Sequence, residues 1–204
     1  MGSGIEIDRI LAMDCETSGI NWDAGKSHTL ATVATGQQAV SWGMVVADTK
    51  DYLPIAELYV EIKWNGKSNW DVKAERVHGM SKEYLEEHGL SEEDALYDIL
   101  EFIMEHFPRN KPIYCLGHNV ASFDIPFLKD LMFRHDIKGL KFGHRHFDSF
   151  ALSMGTVKEF DSPTLFKRVG LPDRKDHNAL EDAKYSLEVY RRLNRAWNQM
   201  LKGK

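Results

Sequence analysis

The sequence predicts an α/β fold: a mixed sheet flanked by helices, its first three strands antiparallel and its later strands parallel. Two observations carry this. Three β-rich runs fill the first third of the chain, the second and third joined by the turn-like cluster Asp48-Thr49-Lys50-Asp51. The later strand-like runs are short and apolar, bounded by Pro or Gly and separated by helical patterns, which is how buried parallel strands read.

Taken in order, Arg9 to Gly19 is an apolar run that delivers two carboxylates and then a turn, the pattern of a central strand that ends in a site. Asn21 to Gln38 is polar and rich in Gly, Ser and Thr, and reads as a mobile loop near that site. Val40 to Ala47 and Leu53 to Trp64 follow as strands, the second ended by Asn65-Gly66. Asp71 to Arg76 reads as a short helix. Ser81 caps another, and Ser91-Glu92-Glu93-Asp94 opens a stronger one with apolar residues Ala95, Leu96, Ile99, Phe102, Ile103 and Phe107 at helical spacing. Pro112 to Leu116 suits a buried parallel strand, Phe123 to His135 a helix with Pro126 in its first turn, and Phe147 to Met154 a short strand leading into a helix. Ser162-Pro163 starts a helix that Gly170-Leu171-Pro172 breaks. The last helix runs from about Asn178 to Leu201 on an apolar stripe of Leu180, Ala183, Leu187, Tyr190, Leu193, Trp197 and Leu201.

With 204 residues, 43% of them hydrophobic and 28% charged, the chain reads as one globular domain over 1–204, residues 1–7 being a flexible or tag-derived start. The net charge of −5 announces no global basic field. It leaves room for a cleft whose acids are offset by bound cations. Cys15 and Cys115 read as buried thiols in neighbouring strands, which points to a reducing compartment. No segment approaches the roughly 18 apolar residues that span a bilayer, and the N-terminus has no secretory pattern, so the reading is cytoplasmic, or host-cytoplasmic for a phage-encoded chain.

In a strand, Asp14 and Glu16 stand on the same face about 6.6 Å apart, close enough to share a divalent cation, while Cys15 faces away. A D-x-E at a strand end is also a common solvated edge, so the pair needs partners. Asp124 lies at the start of a helix directly after a buried strand, where α/β sheets place ligands, although a first-turn acid there also complements the helix dipole. His177 and Asp182, five residues apart, would diverge by about 140° inside one helix. Asn178 as N-cap, with Glu181 three residues on, leaves His177 outside the helix and free to turn back over Asp182.

Asp14-x-Glu16, Asn119-x-x-x-Phe123-Asp124 and His177-x-x-x-x-Asp182 together resemble the three motifs of the DEDDh 3′-to-5′ exonucleases of the ribonuclease H-like superfamily, which include proofreading epsilon subunits, ribonuclease T and the 3′ repair exonucleases. Val77-His78-Gly79-Met80 and His146-Phe147-Asp148-Ser149 are similar to further elements of that family. The resemblance implies a five-stranded mixed sheet and a metal-dependent exonuclease that releases nucleoside monophosphates from a single-stranded 3′ end. It implies two Mg²⁺ or Mn²⁺ ions held by Asp14, Glu16, Asp124 and Asp182, with His177 taking the proton from the attacking water. It also sets Thr17, His78, Met80, Asn119 and Phe123 at the substrate and Asp148 behind the ligands. Local packing is an equal use for His78 and Met80, and shaping of the strand-to-helix turn for Asn119. Three residues between Asn119 and Phe123, as in the 3′ repair enzymes, incline the reading to DNA over RNA. The alternatives are an exoribonuclease of the ribonuclease T or oligoribonuclease type, an endonuclease, and a non-catalytic nucleic-acid-binding module on the same fold.

Overall fold

Alternation along β1 (Arg9–Thr17) sets the whole architecture. Leu11, Met13 and Cys15 point into one apolar cluster, Ile10 and Ala12 into another on the opposite face, so Asp14 and Glu16 continue the second face. The computed structural model describes residues 7–21, 36–173 and 177–203. In it β1 pairs antiparallel with β2 (Ala39–Asp48), which pairs antiparallel with β3 (Pro54–Glu61), and parallel with β4 (Cys115–Gly117), which pairs parallel with β5 (Phe147–Asp148). The order across the sheet is β3-β2-β1-β4-β5, the mixed five-stranded sheet that the sequence predicts.

Between β3 and β4 come α1 (Val72–His78), α2 (Lys82–His88) and α3 (Glu92–His106), and after β4 comes α4 (Asp124–Arg134). The buried stripe of α3 and the inner face of α4 close over Leu11, Met13, Cys15, Trp42 and Met44. The other face is covered by α7 (Ala179–Lys202), against which α5 (Ser149–Thr156) and α6 (Ser162–Arg168) pack. Side chains satisfy the first amides of most helices: Asp71, Ser81, Ser91, Asp148, Asp161 and Asn178 each accept from an amide one turn on. Among the described residues no helix is long and apolar enough to cross a membrane. Cys15 and Cys115 are buried free thiols on adjacent strands.

Several boundaries differ from the sequence reading. The parallel strand expected over Pro112–Leu116 has its regular part at Cys115–Gly117; before it, Ile113 forms only an isolated parallel bridge with Phe142, donating to the Lys141 carbonyl (2.7 Å) and accepting from the Gly143 amide (2.7 Å). Beyond Glu61 the Ile62 amide still donates to the Val40 carbonyl of β2 (2.8 Å), while the other edge meets the 90 region, with the Lys63 amide on the Leu90 carbonyl (2.9 Å). Helix α1 runs two residues past Arg76 and stops at Gly79, whose φ of 74° lies in the left-handed region where glycine is the natural stop. At the far end of α7, Trp197 and Leu201 are half exposed, since a helix about 36 Å long outruns the nine-residue strand beneath it. The loop expected over Asn21–Gln38 falls outside the described residues from 22 to 35; its ends converge, the Gln37 amide donating to the Asn21 carbonyl at 2.9 Å.

Ile99 is fully buried in the α3 layer and Phe133 is 72% exposed on α4. Ile99→Ala is expected to cost about 2–5 kcal/mol of unfolding free energy, and Phe133→Ala no more than about 0.5 kcal/mol. Urea denaturation followed by circular dichroism reads both.

Candidate active site

Pairing along β1 breaks where the acids end. Asp14 sits opposite Gly43 and Glu16 opposite Ser41, and the register then slips between Glu16 and Thr17. Such an irregularity terminates a ladder and re-aims the side chains beside it. Thr17, 6% exposed, turns its hydroxyl onto the Gly19 carbonyl (2.7 Å). Ser18, fully buried, then ties three segments together: its amide donates to Gln38, its hydroxyl to the Asn69 carbonyl, and its carbonyl accepts from Asp71.

The second segment starts after β4. Asn119 adopts a left-handed φ of 64°, which asparagine tolerates better than most residues. Its amide donates to Asp148 Oδ1 (3.2 Å), and its carbonyl accepts from Ser122 and Phe123, so the chain turns sharply into α4. Asp148 Oδ1 also accepts from Phe150 (2.9 Å), which makes Asp148 the brace of this turn and the cap of α5. Phe123 occupies the N-cap position without a side-chain cap and packs 5.1 Å from the Phe127 ring.

Asp124, first residue of α4, is 1% exposed. Its Oδ1 accepts from the Cys15 amide at 3.0 Å, between the two acids of β1. Its Oδ2 has no hydrogen-bond partner among the described residues. A buried carboxylate oxygen left this way costs free energy unless something cationic or protic satisfies it. Burial, with the negative charge of Glu16 adding to it, pushes the Asp124 carboxyl up to about 7, although the Cys15 thiol, and less strongly the Asp124 and Cys15 amides, work the other way. Burial also raises the Cys15 thiol, as do the charges of Asp124, Asp14 and Glu16, so three carboxylates crowd one stretch of backbone.

The third segment opens α7. Asn178 Oδ1 accepts from the Leu180 (3.0 Å) and Glu181 (3.2 Å) amides, leaving His177 just outside the helix. Glu181 itself accepts from Lys184 (3.2 Å), which also reaches Glu57 on β3 (2.8 Å). Asp182 is 8% exposed, and its Oδ2 lies 3.7 Å from His177 Nδ1. One donor atom each from Glu16, His177 and Asp182 lies within 4.8 Å of the others. A strand end and a helix start more than 160 residues apart thus meet at one point, with Asp124 near enough for Glu16 to act on it. Asp14 is two residues before Glu16 on the same strand.

His78, the last residue of α1, lies near enough to His177 to feel its charge, and Met80 follows just beyond the Gly79 cap. Both are 7% exposed, and Met80 packs with Val40 and Leu85. His78 Nδ1 accepts from the Met80 amide (3.1 Å), which puts the ring proton on Nε2; burial pulls its pKa down, and His177 pulls the same way. Ser18, Ser149 and Gly43 are parts of the site's frame that carry no chemical signature in one sequence. Only Gly43 bears a cue, an isolated glycine in an apolar strand, which marks close approach of another backbone.

Oxygen donors with one imidazole, plus a buried carboxylate oxygen in want of a partner, are a donor set that fits hard divalent cations. Structural comparison agrees with the architecture. The chain superposes on E. coli exonuclease I bound to a 5cy-dT13 oligonucleotide with a TM-score of 0.72 at 14% identity, covering 97% of this chain and 43% of that one. The zinc-bound form of the E. coli ExoI–ssDNA complex gives 0.73 at 13% identity over 97% and 42%, and another exonuclease I structure 0.73 at 14% over 93% and 41%. The chain therefore spans about two fifths of the length of the exonuclease I chains it matches. Among curated protein sequences no relative is found. The exonuclease model of the RNase_T family matches residues 11–190, nearly the whole of the described fold, and the chain belongs to that exonuclease family.

Proposed function

We propose that this chain, as one domain over 1–204, is a 3′-to-5′ exonuclease that hydrolyses the terminal phosphodiester of single-stranded DNA and releases nucleoside monophosphates. The observation that carries this is the meeting of Glu16, His177 and Asp182 beside the unpartnered buried oxygen of Asp124, in a chain of the exonuclease family. The exonuclease I structures that share its fold hold single-stranded oligonucleotides, which favours DNA as the substrate.

Asp14, Glu16, Asp124 and Asp182 are the residues that would hold two Mg²⁺ or Mn²⁺ ions, Asp14 common to both. Bound there, the ions supply charge stabilisation for the attacking and leaving oxygens of an in-line displacement. His177 lies outside its helix with its side chain 41% exposed, able to meet a water and accept its proton. Thr17 and His78 lie next to the pair on β1 and are the polar contacts for the terminal nucleotide, with Met80, Asn119 and Phe123 shaping the walls around it. Asp148 acts through the turn that it braces.

Three outcomes follow. With a 3′-labelled single strand and Mg²⁺, Asp14→Ala lowers the rate about a thousandfold or more, and a circular single strand stays intact; cleavage of the circle would make the enzyme an endonuclease. His177→Ala lowers kcat by about 10²- to 10⁴-fold while Mn²⁺ affinity by calorimetry holds; a collapse of affinity would make the imidazole a ligand.

The raised Asp124 pKa sets a pH dependence. Below its ordinary value of 3.8 the carboxyl is neutral folded and unfolded; from there to about 7 the folded chain keeps a proton that the unfolded chain has released. Metal-free stability is therefore greatest at the acid end of that window and falls as pH rises through about 7. Differential scanning fluorimetry without metal should show Tm falling through that window, with added Mn²⁺ raising Tm more above it than below, and Asp124→Asn flattening the metal-free profile. A flat wild-type profile contradicts the electrostatics.

A further inference from the structure

The N-terminal turn of α7 lies almost on the backbone of β2. A Cβ built on Gly43 would stand 2.1 Å from the Leu180 nitrogen, 2.2 Å from the Ala179 carbonyl carbon and 2.2 Å from the Leu180 Cα. All three are backbone atoms, so no rotamer change relieves the clash. Gly43 is not among the residues with a positive φ, so what the position demands is space and not a special conformation.

Two facts give that contact its meaning. Gly43 is the cross-strand partner of Asp14, so its empty side-chain place opens on the same face as the acids of β1. The Leu180 amide that a Cβ would strike is also the amide that Asn178 caps, in the turn separating His177 from Asp182. Further along this face β2 presents Val45 and Ala47 to α7, so the helix sits closest to the sheet at its catalytic end.

We infer that Gly43 is a positioning residue for the metal cage: by letting the first turn of α7 rest on β2 beside Asp14, it sets the gap between Glu16 on the strand and His177 and Asp182 on the helix. This rests on the proposed reading of Glu16 and Asp182 as metal ligands and of His177 as the proton acceptor. It touches neither ion nor substrate. Any side chain at 43 lifts the α7 turn and opens the Glu16–His177–Asp182 cluster without removing a ligand.

The test is Gly43→Ala in the full chain, with folding checked by circular dichroism, Mn²⁺ affinity by calorimetry, and kcat and KM on a single-stranded oligonucleotide. Mn²⁺ affinity should fall about tenfold or more and kcat about a hundredfold, since misplacement by about 1 Å costs on that order, while KM stays within about twofold. Ile99→Ala, on the opposite face of the sheet, serves as the stability control and should leave Mn²⁺ affinity unchanged. Folded Gly43→Ala protein with wild-type affinity and kcat overturns the role of Gly43. A wild type that binds no Mn²⁺ overturns the metal reading itself. Should Gly43→Ala not fold, Asn178→Ala frees the same turn without adding an atom: weakened Mn²⁺ binding supports the inference, and unchanged binding overturns it.

Discussion

Carboxylates held together out of water repel one another, and this chain gathers several at the end of its central strand. Asp124 is the extreme case: buried, bonded through one oxygen to the amide between Asp14 and Glu16, and without a partner among the described residues for the other. Nothing in folding alone rewards that arrangement. A cation would, because it would turn mutual repulsion into shared attraction and satisfy the orphaned oxygen together with its neighbours. Local destabilisation concentrated at one point, inside an otherwise well-packed core, is what a site preorganised for a ligand looks like.

The fold assembles that point from parts built for other reasons. The sheet is two-faced: its α3 and α4 side is an ordinary apolar core, and its α7 side grades from core at Ile10 and Ala12 to acid at Asp14 and Glu16. Caps then aim the remaining groups. Asn178 leaves His177 outside α7, and Asp148 braces the left-handed turn at Asn119 that brings Asp124 to β1. Ser18 closes the strand end against the segments at 38 and 69–71. Each is a modest hydrogen bond, yet together they convert four distant stretches of sequence into one geometry.

Much of this was legible in the residues. The alternation that puts Asp14 and Glu16 on one face needs only the two-residue period of a strand, and the cap at Asn178 needs only its spacing to the apolar stripe that follows. The α3 cap and stripe could be read for the same reason, since a strong helical signal is local. Less legible were features that depend on partners far away. The regular part of the parallel strand is three residues, and the isolated bridge of Ile113 to Phe142 before it is something no local pattern announces. The exposure of Trp197 follows from the length of strand under α7, not from its own periodicity. At the site, the chemistry-bearing residues stood out by type, whereas Ser18 and Gly43 did not: a buried serine or a missing side chain acts through what it holds or admits.

In the proposed cage these acids would hold two ions, Asp14 shared by both, and His177 would take the proton. Crystals grown with Mn²⁺ and an oligonucleotide carrying a non-hydrolysable 3′-terminal phosphorothioate, measured at the manganese absorption edge, locate the metal directly. Two anomalous peaks about 3.5–4 Å apart, both contacting Asp14 and with Asp124 Oδ2 engaged directly or through water, are the predicted result. A single peak held by Glu16, His177 and Asp182, with Asp124 Oδ2 still unliganded, would contradict it.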